Sequence, residues 1–236
     1  MIRSSTFRTQ PRNDYPTSDG KPMAETDIHR DLMVALIETL KWYFAADPSV
    51  YVSGNLLVFY EPGNRRSHIS PDVFVVAGVG NHLRENYLLW EEGQGGLDLV
   101  IELTSKTTKN EDIKEKHNLY VSKLGVKEYF LFDPQEEYLK PSFQGFRKRK
   151  DRFVRIKPVD GRLPSKLLGL HLERDGTQLR LRDPETGERL PTLNERAAAE
   201  RARAETEQAR ADRAEAEVER LRAELEQLRR TRRGGT

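Results

Sequence analysis

Residues 97–103, LDLVIEL, constrain the fold of this chain more than any other stretch. The run is nearly continuous in apolar character, which fits a strand covered on both faces rather than one with a solvated side. Such a strand needs a layer above and a layer below. Its one acid near the end, Glu102, then sits where an ionised group is costly unless it is paired, hydrogen-bonded or bound to a cation.

The flanking pattern supplies the layers. Ile28, Leu32, Ala35, Leu36, Leu40, Tyr43 and Phe44 recur at helical spacing and Asp47-Pro48 stops them, so an amphipathic helix precedes the strands. VYVSGNLLVFY (50–60) and DVFVV (72–76) read as strands, separated by the turn-rich EPGNRRSHISP. Thr108 and Glu111 have the spacing of a capping box, which opens a second helix running to Leu124 with Gly125 as its stop. KEYFLFD (127–133) is the next strand. This mixed order of helices and strands implies an α/β fold, a mixed sheet flanked by helices. Residues 146–190, with Asp175-Gly176 marking a tight turn, read as accessory hairpins packed on the main sheet, with a separate subdomain as the alternative.

A chain of 236 residues with 33% charged and 36% hydrophobic residues holds one core plus a solvated appendage. Residues 1–23, rich in Ser, Thr, Pro and Arg, form a flexible or draped lead. From Asn194 the composition narrows to Ala, Glu, Arg, Leu and Gln with no glycine before Gly234, which makes 194–236 a long helix and a coiled-coil tail. Ala197, Ala204, Ala211, Ala214, Val218, Leu221, Leu225 and Leu228 occupy a and d positions of one heptad register, interrupted by Glu200 and Glu207. The expectation is a homo-oligomer through the C-terminal heptads, with pairing orientation left open and a solvated single helix as the alternative. Eleven arginines against ten acids keep this tail nearly neutral.

Cysteine is absent, so disulfides, thiolate nucleophiles and cysteine-held metals are excluded. The five histidines show no zinc-type spacing. Oxygen ligands remain. Asp72, after Pro71 at the start of one strand, and Glu102, near the end of another, suit Mg²⁺ or Mn²⁺, which could polarise a phosphodiester and acidify an attacking water. Lys116 shares a helix face with Ile113, Tyr120 and Leu124, so it points toward the sheet, where it could orient water and stabilise charge on phosphate. The alternative is that Lys116 lies along the helix edge and pairs with a surface acid.

With these residues in place, SPDVFVV (70–76), DLVIELTSKTT (98–108) and KHNLYVSKLGVKEYFLFDP (116–134) together resemble the Uma family of restriction endonucleases, a branch of the PD-(D/E)XK nuclease superfamily. The resemblance covers roughly 24–190. It implies a restriction-endonuclease-like core at 24–190, Asp72 and Glu102 as acids binding a divalent metal, Lys116 as a catalytic lysine moved onto the following helix, and endonucleolytic hydrolysis of DNA. Thr104 stands where the wider superfamily has its lysine, and Lys106 is a weaker substitute than Lys116. Ser105 and Thr108 match a polar loop that either caps structure or touches phosphate, and Glu25 is either a water-mediated metal ligand or a solvated helix-start acid.

Net charge is only +2, so DNA binding calls for a local patch. Arg147, Lys148, Arg149 and Lys150 are the best candidates, with a solvated hairpin face as the bland alternative. No stretch approaches the roughly 20 apolar residues that span a bilayer, and the opening lacks the apolar core of a signal peptide, so the expectation is a soluble, cytoplasmic protein without membrane partners. The rival to an enzyme is a non-catalytic scaffold or regulatory protein that keeps the fold and acts through its coiled coil.

Overall fold

The computed structural model describes residues 15–18, 26–92, 96–104 and 116–233, and the chain divides into two units, 1–190 and 191–236. In the first, helix α1 (Asp27–Tyr43) starts at Thr26, whose hydroxyl accepts the His29 N–H at 3.3 Å. The strands that follow are β1 (Val50–Ser53), β2 (Val58–Phe59), β3 (His68–Ile69), β4 (Val73–Ala77), β5 (Tyr87–Leu88) and β6 (Leu99–Leu103). Helix α2 (His117–Ser122) leads into β7 (Glu128–Phe132), β8 (Phe143–Arg149), β9 (Arg152–Arg155), β10 (Leu163–Pro164), β11 (His171–Asp175) and β12 (Gln178–Arg182).

Six strands make the main sheet in the order β1-β4-β6-β7-β8-β9. Only β6 and β7 pair in parallel, which makes the sheet mixed as expected. All five residues of β6 are buried, and their alternation divides two cores. Leu99, Ile101 and Leu103 pack with Val73 and Val75 under Leu32, Leu36 and Leu40 of α1. Val100 packs on the other face with Phe74, Val76, Tyr129 and Tyr120 and Leu124 from the α2 segment.

The stretch expected as one strand over 50–60 is two. Asn55 takes a left-handed φ of 49°, its N–H donates to the Pro71 carbonyl at 2.8 Å, and the chain turns away so that β2 joins a separate small sheet, β3-β2-β5. Gly54 makes the turn possible: a Cβ there would lie 1.9 Å from the Asp72 carbonyl oxygen. The basic segment after residue 146 is an edge hairpin of the main sheet, while β10-β11-β12 forms a three-stranded sheet turning at Gly176, φ 61°. Leu170, Leu172 and Leu181 belong to the same core cluster as Leu32, Leu36 and Leu40 of α1.

Of the stretch expected as the second helix the structure describes α2 (His117–Ser122), followed by Gly125 with φ 65°; Thr108 and Glu111 lie outside the described residues. Of residues 1–23 the structure describes 15–18, where Tyr15 is buried against Phe59 and Trp90 and its hydroxyl accepts the Gly63 N–H at 2.7 Å. In the second unit, α3 (Leu193–Arg233) is a single helix opened by a capping box: Thr192 N–H donates to Glu195 Oε2 at 2.7 Å and Glu195 N–H to Thr192 Oγ1 at 3.3 Å. No helix among the described residues is long and apolar enough to cross a membrane.

Candidate active site

Val73 pairs with Ile101 in the antiparallel ladder of β4 and β6, so one further step of the register sets Asp72 across from Glu102. Two carboxylates on neighbouring strands are the start of the site. Glu102 is completely buried, and both its oxygens are occupied: Oε2 accepts from Lys116 Nζ at 3.0 Å and Oε1 from the Tyr120 hydroxyl. Lys116 stands immediately before α2 with a helical backbone, which carries its side chain down onto the sheet, 13% exposed. The sequence allowed an inward or an edge placement for Lys116; among the described residues the acid it meets is the buried Glu102.

Asp72 is 15% exposed. Its Oδ2 accepts the Leu103 N–H at 2.7 Å and lies 3.3 Å from His29 Nε2. The same nitrogen is 3.1 Å from the Leu103 carbonyl, and since a carbonyl can only accept, Nε2 carries the proton and is shared between the two oxygens. Among the described residues nothing bonds to Asp72 Oδ1. Burial works to raise the Asp72 pKa, but the His29 hydrogen bond, the nearby Lys116 charge, the His29 charge and the Leu103 N–H together hold the carboxyl below the usual range, so it is ionised. Burial, followed by the Glu102 charge, pushes the Tyr120 phenol well above its ordinary value, so Tyr120 is a fixed neutral donor.

Thr104, where a lysine stands in the wider pattern, is buried, and its hydroxyl has no hydrogen-bond partner among the described residues. Glu25, Ser105 and Lys106 lie outside the described residues. Two members of the basic run have partners within the fold. Arg147 donates to Glu128 Oε1 at 2.7 Å and to the Pro164 carbonyl at 3.0 Å, and Lys148 donates to the Val121 carbonyl at 2.9 Å, so both are engaged in holding the sheet to its neighbours. Arg149 and Lys150 are exposed at the β8–β9 turn.

Two residues at the site were not singled out from sequence. His29 had a signal, because 29, 33, 36 and 40 fall on the buried stripe of α1. Tyr120 was placed on the inward face, but its hydrogen bond to Glu102 depends on how α2 approaches the sheet. Among the described residues no group of three or more His, Asp or Glu side chains is gathered as a metal cage. The oxygens that could hold a cation are Asp72 Oδ1 and Oδ2, the Glu102 carboxylate and the Leu103 carbonyl.

A family model described as "Uma2: Putative restriction endonuclease" matches residues 3–174. The chain belongs to the Uma2 family. Its core is therefore that of a nuclease family, with the mixed α/β sheet expected from the sequence. Among solved structures the chain is similar to a "putative nuclease belonging to DUF820" from Anabaena variabilis, at 17% identity and a TM-score of 0.43, covering 65% of this chain and 80% of that one. No curated protein matches the chain. The match begins at residue 3, ahead of the 24–190 span read from the motifs, and it contains the segments that carry Asp72, Glu102, Lys116, His29 and Tyr120.

Proposed function

We propose that this Uma2-family chain is a divalent-metal-dependent endonuclease that hydrolyses DNA phosphodiester bonds, with Asp72 and Glu102 holding Mg²⁺ or Mn²⁺ and Lys116 acting on the phosphate and the attacking water. The observation that carries the reading is the fully buried Glu102 beside the Lys116 ammonium, one strand from an ionised Asp72. Buried acids and a lysine are expensive to gather unless they do chemistry or bind a cation.

The donor set suits a hard cation: carboxylate and carbonyl oxygens with no sulfur. When bound there, a divalent ion supplies Lewis acidity at the phosphate and a more acidic water. The rest falls to the chain. Lys116, whose ammonium lies 3.0 Å from Glu102 Oε2, would also donate to an incoming phosphate oxygen and stabilise negative charge as the P–O bond breaks. Tyr120 keeps one Glu102 oxygen fixed and cannot compete as a base, because its phenol stays protonated. His29 and the Leu103 N–H hold Asp72 at one oxygen and leave Oδ1 for ligation or for water. Arg149 and Lys150 remain as exposed charges for the DNA backbone, and Ser105 as a polar loop contact.

The test is cleavage of supercoiled plasmid DNA and of single-stranded DNA in Mg²⁺, Mn²⁺ and chelator, for the wild type, Asp72→Ala and Lys116→Ala, with calorimetric titration of Mn²⁺ alongside. Metal-dependent nicking lost in both variants, with metal affinity lost only in Asp72→Ala, is the expected result. Nicking by wild type that survives in both variants rejects the assigned site. Folded wild type that binds metal but cleaves neither DNA form favours the scaffold reading, to which the exposed α3 gives its own support.

A further inference from the structure

Helix α3 leaves its largest apolar side chains in solvent. Val218, Leu221, Leu225 and Leu228 are 45%, 50%, 50% and 71% exposed, and they alternate at a and d positions continued upstream by Ala211 and Ala214. A helix whose apolar residues form such a stripe lacks its partner. The charges beside the stripe say which partner fits.

In the same register Arg210, Glu217 and Glu224 are g positions, and Glu215, Arg222 and Arg229 are e positions. When two copies lie parallel and in register, each g residue meets the e residue five positions on in the other copy. The meetings are Arg210 with Glu215, Glu217 with Arg222 and Glu224 with Arg229. All three are opposite in sign, and symmetry doubles them. Turning one copy around so that the same four apolar residues still pack brings g to g and e to e: Glu217 meets Glu224, and Arg222 meets Arg229. Every one of those contacts is repulsive.

The ion pairs within the helix agree with this choice. Among the described residues Glu217 and Glu224 are engaged only by Arg220, at 2.7 and 3.7 Å, in exposed pairs that exchange partners at little cost. Arg210, Glu215, Arg222 and Arg229 make no ion pair among the described residues. The pairing also has a natural upstream end, because Glu207 at the next d position would face its own copy. The large a positions are Val218 and Leu225 and the large d positions Leu221 and Leu228; the β-branched Val218 over leucine at d favours two strands over three or four.

We propose that residues 210–229 form a parallel, in-register, two-stranded coiled coil with a second copy of this chain. This goes beyond the nuclease reading and does not rest on it. The test is sedimentation of the full chain over a concentration series, together with Ala214→Cys in a protein that has no other cysteine. Position 214 is a d site, so in the parallel pair its Cα atoms come within the roughly 7 Å that a disulfide spans. The expected results are a dimer, a covalent 214–214 link on mild oxidation, and a monomer of unchanged helicity for Leu221→Lys/Leu225→Lys. Glu217→Arg/Glu224→Arg raises the dissociation constant at least about tenfold, and mixing it with Arg222→Glu/Arg229→Glu restores association. A monomer at every concentration overturns the proposal, whether the tail is solvated or folded back on residues 1–190. So does a dimer that fails to link through position 214, or one that survives the two leucine replacements. Charge variants that associate as tightly as wild type overturn it as well.

Discussion

Replacing Tyr120 by Phe tests whether the site depends on a phenol that packing alone would not require. Tyr120 is fully buried on the sheet-facing side of α2, so the phenylalanine ring keeps its contacts and no cavity opens. What is lost is one donor to the buried Glu102 carboxyl group, which retains the Lys116 ammonium. A hydrogen bond to a charged group is worth about 1.5–3 kcal/mol net. At ~2–4 °C per kcal/mol for a unit of this size, the melting temperature falls by about 3–12 °C. Both tryptophans, Trp42 and Trp90, lie in the 1–190 unit, so their fluorescence follows that unit without interference from α3. Chelator keeps metal from compensating. Tyr120→Phe in a Glu102→Gln background, where the acceptor charge is gone, loses about half as much or less. A Tyr120→Phe protein within about 0.5 kcal/mol of wild type in urea titration refutes the claim that this hydrogen bond organises Glu102.

Three further outcomes follow from the same geometry. Lys116→Met lowers stability by about 3 kcal/mol, the low end for breaking a buried pair because Lys116 keeps some contact with water, and Lys116→Met/Glu102→Gln recovers part of it; equal loss in single and double variants means the pair is not coupled. Gly54→Ala forces a Cβ to 1.9 Å from the Asp72 carbonyl and costs about 1–3 kcal/mol by overpacking, with nuclease activity falling alongside stability; an unchanged melting curve shows that the approach is not close. Glu173, held mainly by Arg182 and also by Arg162 and Arg189, has its pKa lowered to about 2 despite burial. A depressed folded pKa gives stability that is present above the ordinary carboxylate pKa and drains away as pH falls from there through about 2, so Glu173→Gln flattens the acid limb of the stability curve over that window. An acid limb unchanged by the substitution assigns the loss to other carboxylates.

How much of this was legible in the sequence depended on whether a residue's neighbours lay along the chain or across it. Glu102 stood out because a charge inside LVIEL breaks an apolar run, and Lys116 because a helix face can be counted. His29 meets Asp72 only where α1 crosses the end of the sheet, 43 positions away in the chain, although its place on the helix stripe could be read. The division of 50–60 was marked by Gly54-Asn55, yet flanking apolar residues outweighed a turn signal whose cause, the Asp72 carbonyl pressing on Gly54, is tertiary. Arg147 and Lys148 read as free charge because sequence shows sign and not partners; Glu128 and the Val121 carbonyl hold them.

Burial of an acid does not by itself mark the site, because several other carboxylates here are just as deep. Glu128 is consumed by Arg147, Ser165 and the N–H groups of Lys166 and Leu167, Asp133 by three N–H groups of the loop that follows it, and Glu173 by its arginines. Asp98 joins the Ala77 N–H and Lys127. Each of these ties one stretch of backbone to another and has no second acid across the ladder from it. Asp72 and Glu102 do have that opposition, and like charges facing each other across adjacent strands destabilise a sheet unless positive charge lies between or beside them. Lys116 and the His29 N–H supply part of it within the chain, and in the proposed reading a divalent cation at Asp72 Oδ1, left without a partner among the described residues, would supply more.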